Sequence, residues 1–210
     1  MAKRSGITRR GLFRGIGTAT LVAGCTTQKA PPPEGPASST PAPGPGLTIG
    51  PGPAPLQFEL NGEAVTTEVP PSATLLDTLR LTLDTTGTKK VCDRGSCGAC
   101  MVLVDGAPQN SCMTLAHDVA GRKVTTVEGL GKGHAGGLSP LQKAFVERDA
   151  LQCGFCTPGM LISCSALLSR TGGSAPAAAD IQDAISGNLC RCGTYPHIIA
   201  AVKSAAGGGA

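Results

Sequence analysis

Residues 92–100 read Cys92-Asp93-Arg94-Gly95-Ser96-Cys97-Gly98-Ala99-Cys100, and a fourth cysteine follows at Cys112. The first three stand in C-x4-C-x2-C spacing. Thiols so close along the chain can converge only if the backbone wraps a small body, and Gly95 and Gly98 allow the close approach and unusual φ values that wrapping needs. Exposed N–H groups in such a loop point at the sulfurs and offset their negative charge. The spacing is that of a loop holding a [2Fe-2S] cluster. Structural zinc more typically shows paired C-x2-C knuckles. Disulfides are a further alternative, but three cysteines within nine residues, parted by glycines, make poor partners for one another.

Outward from this loop the periodicity is that of a small sheet. Leu56, Phe58 and Leu60 alternate, Asn61-Gly62 makes a two-residue turn, and Val65, Thr67 and Val69 alternate back. Thr74-Leu75-Leu76-Asp77 is a capping pattern that opens a helix with Leu75, Leu76, Leu79 and Leu83 on its apolar face. Beyond the cysteines a strand runs from Met101 to Val104 into an Asp105-Gly106 turn, and a last strand lies around Val124 to Val127. The expectation for residues 56–130 is a β-grasp, plant-type ferredoxin-like domain.

Residues 138–204 are helical in pattern. Ser139-Pro140 caps a helix carrying Leu141, Ala144 and Phe145, and Thr157-Pro158 caps one carrying Met160, Leu161, Cys164, Leu167 and Leu168. A third spans Asp180 to Ser186 and stops at Gly187, and a fourth follows Pro196. Four short helices make a four-helix bundle, giving an α+β chain of two domains with a short tail at 205–210 read as disordered. The loops of the bundle carry Cys153, Cys156, Cys190 and Cys192, a second set of four thiols. Cys190 and Cys192 are one residue apart, which disfavours an unstrained mutual disulfide. The positive end of a helix dipole beside Cys156 favours a charged cluster. Arg191 reads equally as a counter-charge and as a solvent-facing turn residue. Cys164 falls on an apolar stripe and is expected to be a buried structural thiol. His117, His134 and His197 have no partner pattern and are expected to be surface or satisfied side chains.

Composition agrees with stapled cores, held by disulfides or by metal sites. The 210 residues include ten Cys, 30 Gly and 17 Pro, with no Trp, one Tyr and four Phe. Cores with so few large side chains need staples. The net charge of +4 belongs to the leader: without residues 1–24, 13 basic residues face 14 acidic ones. Nucleic-acid binding therefore has no electrostatic support. Residues 1–24 carry Thr8-Arg9-Arg10-Gly11-Leu12-Phe13-Arg14 before a mildly apolar segment and read as a twin-arginine signal peptide directing the chain to the periplasm; the alternative is a disordered basic tail. Val22-Ala23-Gly24-Cys25 reads as a lipoprotein cleavage box, with ordinary cleavage nearby as its alternative. Lipid on Cys25 would be the chain's membrane contact. Residues 25–55 form a Pro/Gly/Ala-rich linker that cannot bury a core.

CDRGSCGAC with Cys112, then QCGFCTPGM, then GNLCRCGTYP together resemble the small iron–sulfur subunit of the xanthine dehydrogenase and aldehyde oxidoreductase family, the molybdenum hydroxylases, over about Leu56 to Val202. The leader and the CRCGTYP ending are most similar to the periplasmic aldehyde oxidoreductase branch. The resemblance implies two [2Fe-2S] clusters, ligated by Cys92, Cys97, Cys100 and Cys112 and by Cys153, Cys156, Cys190 and Cys192. It implies a large partner subunit holding molybdopterin, which Gln152 would contact and to which the helical domain's cluster would lie nearest. A flavin (FAD) subunit or a cytochrome would accept electrons from the other cluster. It also implies that the chain alone does not turn over an aldehyde or N-heterocycle. A disulfide-stapled envelope lipoprotein that only binds a ligand is the competing class, and iron content separates the two.

Overall fold

Leu56, Phe58 and Leu60 all point into one core, and this alternation makes β1 (Ala54–Leu60) the spine of the sheet. Asn61 and Gly62 both take positive φ, as a tight hairpin turn requires, and return the chain as antiparallel β2 (Glu63–Val69). Asp105 and Gly106 repeat the device between β3 (Met101–Val104) and β4 (Ala107–Asn110). With β5 (Lys123–Thr125) the order is β2-β1-β5-β3-β4, β5 running parallel to β1 and antiparallel to β3. The computed structural model describes residues 49–172 and 174–207. The leader, Cys25 and all but the end of the linker lie outside the described residues.

The sheet has the expected β-grasp character, with two local departures. Thr74 Oγ1 caps the Asp77 N–H at 3.1 Å, but α1 (Leu75–Asp77) gives way at once to a π turn over Thr78–Thr82. There the Leu83 N–H reaches back to Thr78 O at 3.0 Å, which widens the turn while Leu75, Leu76 and Leu79 stay fully buried. The last strand stops at Thr125, short of Val127, because the Thr126 N–H is taken at 2.8 Å by Asn61 Oδ1, after which Val127 enters a 3-10 turn.

The helical part has the four expected helices: α2 (Pro140–Glu147), α3 (Thr157–Arg170), α4 (Ala178–Ala184) and α5 (Tyr195–Ala206). Ser139 and Gln142 form a reciprocal capping box at the start of α2. Helix α4 starts earlier than its apolar pattern suggested and ends before Ile185, and α5 runs two residues into the stretch read as tail. The cap of α3 is Cys156 itself, with Thr157 and Pro158 already inside the first turn.

Each part has its own core with a single buried phenylalanine, Phe58 under the sheet and Phe145 among the helices. Both parts belong to one compact unit, and α3 packs against β3 and β4. Among the described residues no helix is long and apolar enough to cross a membrane.

Asn61 joins the first hairpin to β5, accepting from the Thr126 N–H and donating to Thr126 Oγ1 at 3.0 Å, at φ 52°. Asn61→Ala strands the fully buried Thr126 and places a Cβ-bearing residue without side-chain bonding in left-handed backbone. The expected loss is about 2 kcal/mol, read as a lower denaturation midpoint.

Candidate metal centres

The loop from Val91 to Cys100 has no regular secondary structure and is held from several sides. Arg80 on the π turn donates at 2.7 Å to the carbonyls of both Thr86 and Thr88. The Gly87 N–H donates to Glu128 at 2.7 Å, and Lys90 bonds Asp77 and Asp93 at 2.9 and 3.0 Å. Gly95 and Gly98 both sit at positive φ, as the wrapping argument requires. Asn110 Nδ2 donates to Gly95 O at 3.4 Å, tying the loop to β4.

This fold gathers Cys92, Cys97, Cys100 and Cys112, the last three buried. They lie as two neighbouring pairs, Cys92 with Cys97 and Cys100 with Cys112. The Arg94 backbone N–H, with the Cys97 thiol, brings the Cys92 thiol down to about 7. Burial pushes Cys112 up to about 11, although the Gly95 N–H donates to its sulfur at 3.3 Å.

The second set comes from two loops of the helical part. Cys156, buried at the cap of α3, lies beside Cys190, while Cys153 lies beside Cys192 and both of these are exposed. Burial, then the Cys190 thiol, pushes Cys156 up to about 12. Burial also opposes ionisation of Cys190, but Thr194, through its hydroxyl at 3.2 Å and its backbone N–H, outweighs it and brings that thiol down to about 7. Tyr195 Oη accepts from the Cys190 N–H at 2.8 Å and donates to Asn188 O at 3.1 Å, which shapes the turn.

The donor chemistry fits two binuclear iron cores. Each quartet offers soft thiols in two pairs, two sulfurs for each of two irons. Among the described residues no three His, Cys, Asp or Glu side chains converge on a point suited to one ion. Buried thiols that raise one another's ionisation cost need a cationic centre to hold them as thiolates. The buried Thr157 hydroxyl, next to Cys156, has no partner among the described residues, which leaves a free donor beside the second quartet.

The two loops touch. The Leu189 N–H, one residue before Cys190, donates to the carbonyl of Cys97 at 3.0 Å, and Asn188 Nδ2 donates to Gly98 O at 3.1 Å. A continuous path of covalent bonds with one hydrogen bond therefore runs from Cys97 to Cys190.

Fold and sites together define a chain with two [2Fe-2S]-binding modules. Residues 58–125 match the 2Fe-2S iron-sulfur cluster binding domain family and residues 126–203 the [2Fe-2S] binding domain family. The aldehyde oxidoreductase iron-sulfur-binding subunit of Escherichia coli is 44% identical over 165 residues, covering 72% of this chain and 71% of its own. The nicotine 6-hydroxylase small subunit of Paenarthrobacter nicotinovorans is 46% identical over 152 residues, covering 72% and 89%. Among solved structures, quinoline 2-oxidoreductase from Pseudomonas putida matches with a TM-score of 0.65 at 40% identity, over 75% of this chain and 98% of that one. Aldehyde oxidoreductase from Desulfovibrio gigas matches with a TM-score of 0.67 at 39% identity, over 73% of this chain and 17% of a much longer one. The chain belongs to the iron–sulfur subunits of the molybdenum hydroxylases, the xanthine dehydrogenase and aldehyde oxidoreductase family, and is an oxidoreductase subunit.

Gln152 is exposed beside Cys153, and Arg191 is exposed between Cys190 and Cys192. His117 and His197 face the carbonyls of Val69 and Arg148 at 3.3 and 2.9 Å. The sequence pattern did not single out Arg80, Asn110 or Asn188. Adjacency to a cysteine motif was the available signal for Asn188; the others gave none.

Cys164 is fully buried in the helical core, and burial pushes its thiol up to about 12. Cys164→Ala should leave the iron content of the purified protein unchanged and cost about 1 kcal/mol of stability, read from iron analysis and denaturant melts.

Proposed function

We propose that Cys92, Cys97, Cys100 and Cys112 ligate one [2Fe-2S] cluster and that Cys153, Cys156, Cys190 and Cys192 ligate a second. With both in place, the chain relays electrons from a large molybdenum-cofactor partner to a flavin (FAD) subunit or a cytochrome. Each cluster takes one electron at a time, so two in series drain a two-electron oxidation stepwise. The observation that carries the relay is the Leu189–Cys97 hydrogen bond, which joins a cysteine of one quartet to the neighbour of a cysteine in the other.

The helical quartet is the entry side in this account. Its outer pair, Cys153 and Cys192, is exposed with Gln152 alongside, and Phe155 on the same loop is 60% exposed. An uncovered large apolar side chain beside an uncovered donor set is what a subunit interface leaves when the partner is away. In this reading Gln152 contacts the pterin of that partner. The substrate, an aldehyde or an N-heterocycle, is chosen by the partner.

Delivery completes the proposal. The twin-arginine leader carries the chain to the periplasm, a route suited to proteins that receive cofactors before export. Lipid on Cys25 then tethers it, with the Pro-rich segment as spacer.

Two variants test the ligand assignment in the native complex. Cys97→Ser should remove one of two paramagnetic signals of the reduced protein and Cys153→Ser the other, each with loss of electron flow to the acceptor. Two unchanged signals in either variant would contradict the ligand set. For the anchor, Cys25→Ser should move the protein from the membrane to the soluble fraction, and an unchanged distribution removes the lipid from the account.

A further inference from the structure

Asn188 sits where the two cysteine loops meet and is 2% exposed. Its two amide hydrogens go to Gly98 O at 3.1 Å and Met101 Sδ at 3.3 Å, and its Oδ1 accepts from Ser163 Oγ on α3 at 2.8 Å. Ser163 is itself 2% exposed. The Asn188 side chain is thus donor-saturated and buried, and it touches the loop of one quartet while its backbone begins the loop of the other. Buried polar groups satisfied in this way specify one arrangement, because any slip leaves them unpaired.

The surrounding glycines show that the contact is built in. A Cβ on Gly98 would lie 2.6 Å from both Asn188 Nδ2 and Gly187 O, and one on Gly159 would overlap the Gly98 carbonyl. Both positions must lack a side chain for the loops to approach. The bond being held, from the Leu189 N–H to Cys97 O at 3.0 Å, joins an exposed residue to a buried one.

We propose that Asn188 is a positioning residue that sets electron transfer between the two clusters by holding the Leu189 N–H on the Cys97 carbonyl. The inference rests on the relay reading above. The step is a one-electron transfer in which one cluster is oxidised as the other is reduced; no bond forms or breaks and no proton moves. Ser163 supports Asn188, and Gly98 and Gly159 give it room.

The test uses the native complex with wild type, Asn188→Ala and Ser163→Ala. One cluster is reduced by a light pulse with a photoreductant, the rate of electron exchange between clusters is followed, and the magnetic interaction between the two reduced clusters is recorded. Asn188→Ala should keep both cluster signals, slow the exchange by about tenfold as one buried hydrogen-bonding group is lost, and weaken the magnetic interaction. Ser163→Ala should move both readouts the same way by less. Wild-type exchange and interaction in Asn188→Ala, even with a lowered melting temperature, would overturn the assignment. If Asn188→Ala does not load its clusters, Ser163→Ala decides on the same two readouts. Wild-type complex that shows no exchange would sink the relay reading itself, a result distinct from an unchanged variant.

Discussion

Four sulfurs held close together repel one another as thiolates, and the buried ones among them are costly to ionise alone. Both quartets face this constraint. In each, one thiol is eased by backbone donors or a hydroxyl and another is pushed far up by burial and its neighbours. A cationic core resolves the conflict, and much of the structure follows from making room for one. The glycines at 95 and 98, the N–H groups aimed at sulfur and the Lys90 and Arg80 anchors all serve a loop that no helix or strand could replace.

The same constraint explains why so few large side chains suffice. Each core is mainly Leu, Ile, Val and Ala around one phenylalanine, and the thiols lie at its border. Metal binding to such a site contributes to folding as well as to function. Where the quartets meet, Asn188 and the glycines bring two loops into direct backbone contact, and two modules become a connected pair.

What could be seen in the sequence was what is local. Cysteine spacing, two tight turns, helix caps and helical apolar stripes each involve residues a few positions apart, and the sheet and four helices are present, with the bounds of α4 shifted. Features that depend on distant partners were not visible. The π turn, the early end of β5 and Cys156 as a helix cap each reflect a bond or a fit supplied by the assembled fold. The junction is the clearest case, because Asn188 meets Gly98 across 90 residues of chain and nothing near either residue announces the other. The resemblance to a family supplied the expectation of a molybdenum-cofactor partner and of an acceptor, which no spacing in this chain encodes.

The central claim is that eight sulfurs hold iron and do not bond among themselves. Iron and acid-labile sulfide counted on the complex purified without air, together with its Mössbauer spectrum, test it most directly. The account predicts about four irons and about four sulfides per chain, with the oxidised iron present as two diamagnetic pairs. A chain free of iron and sulfide, with its cysteines joined as disulfides, would contradict it.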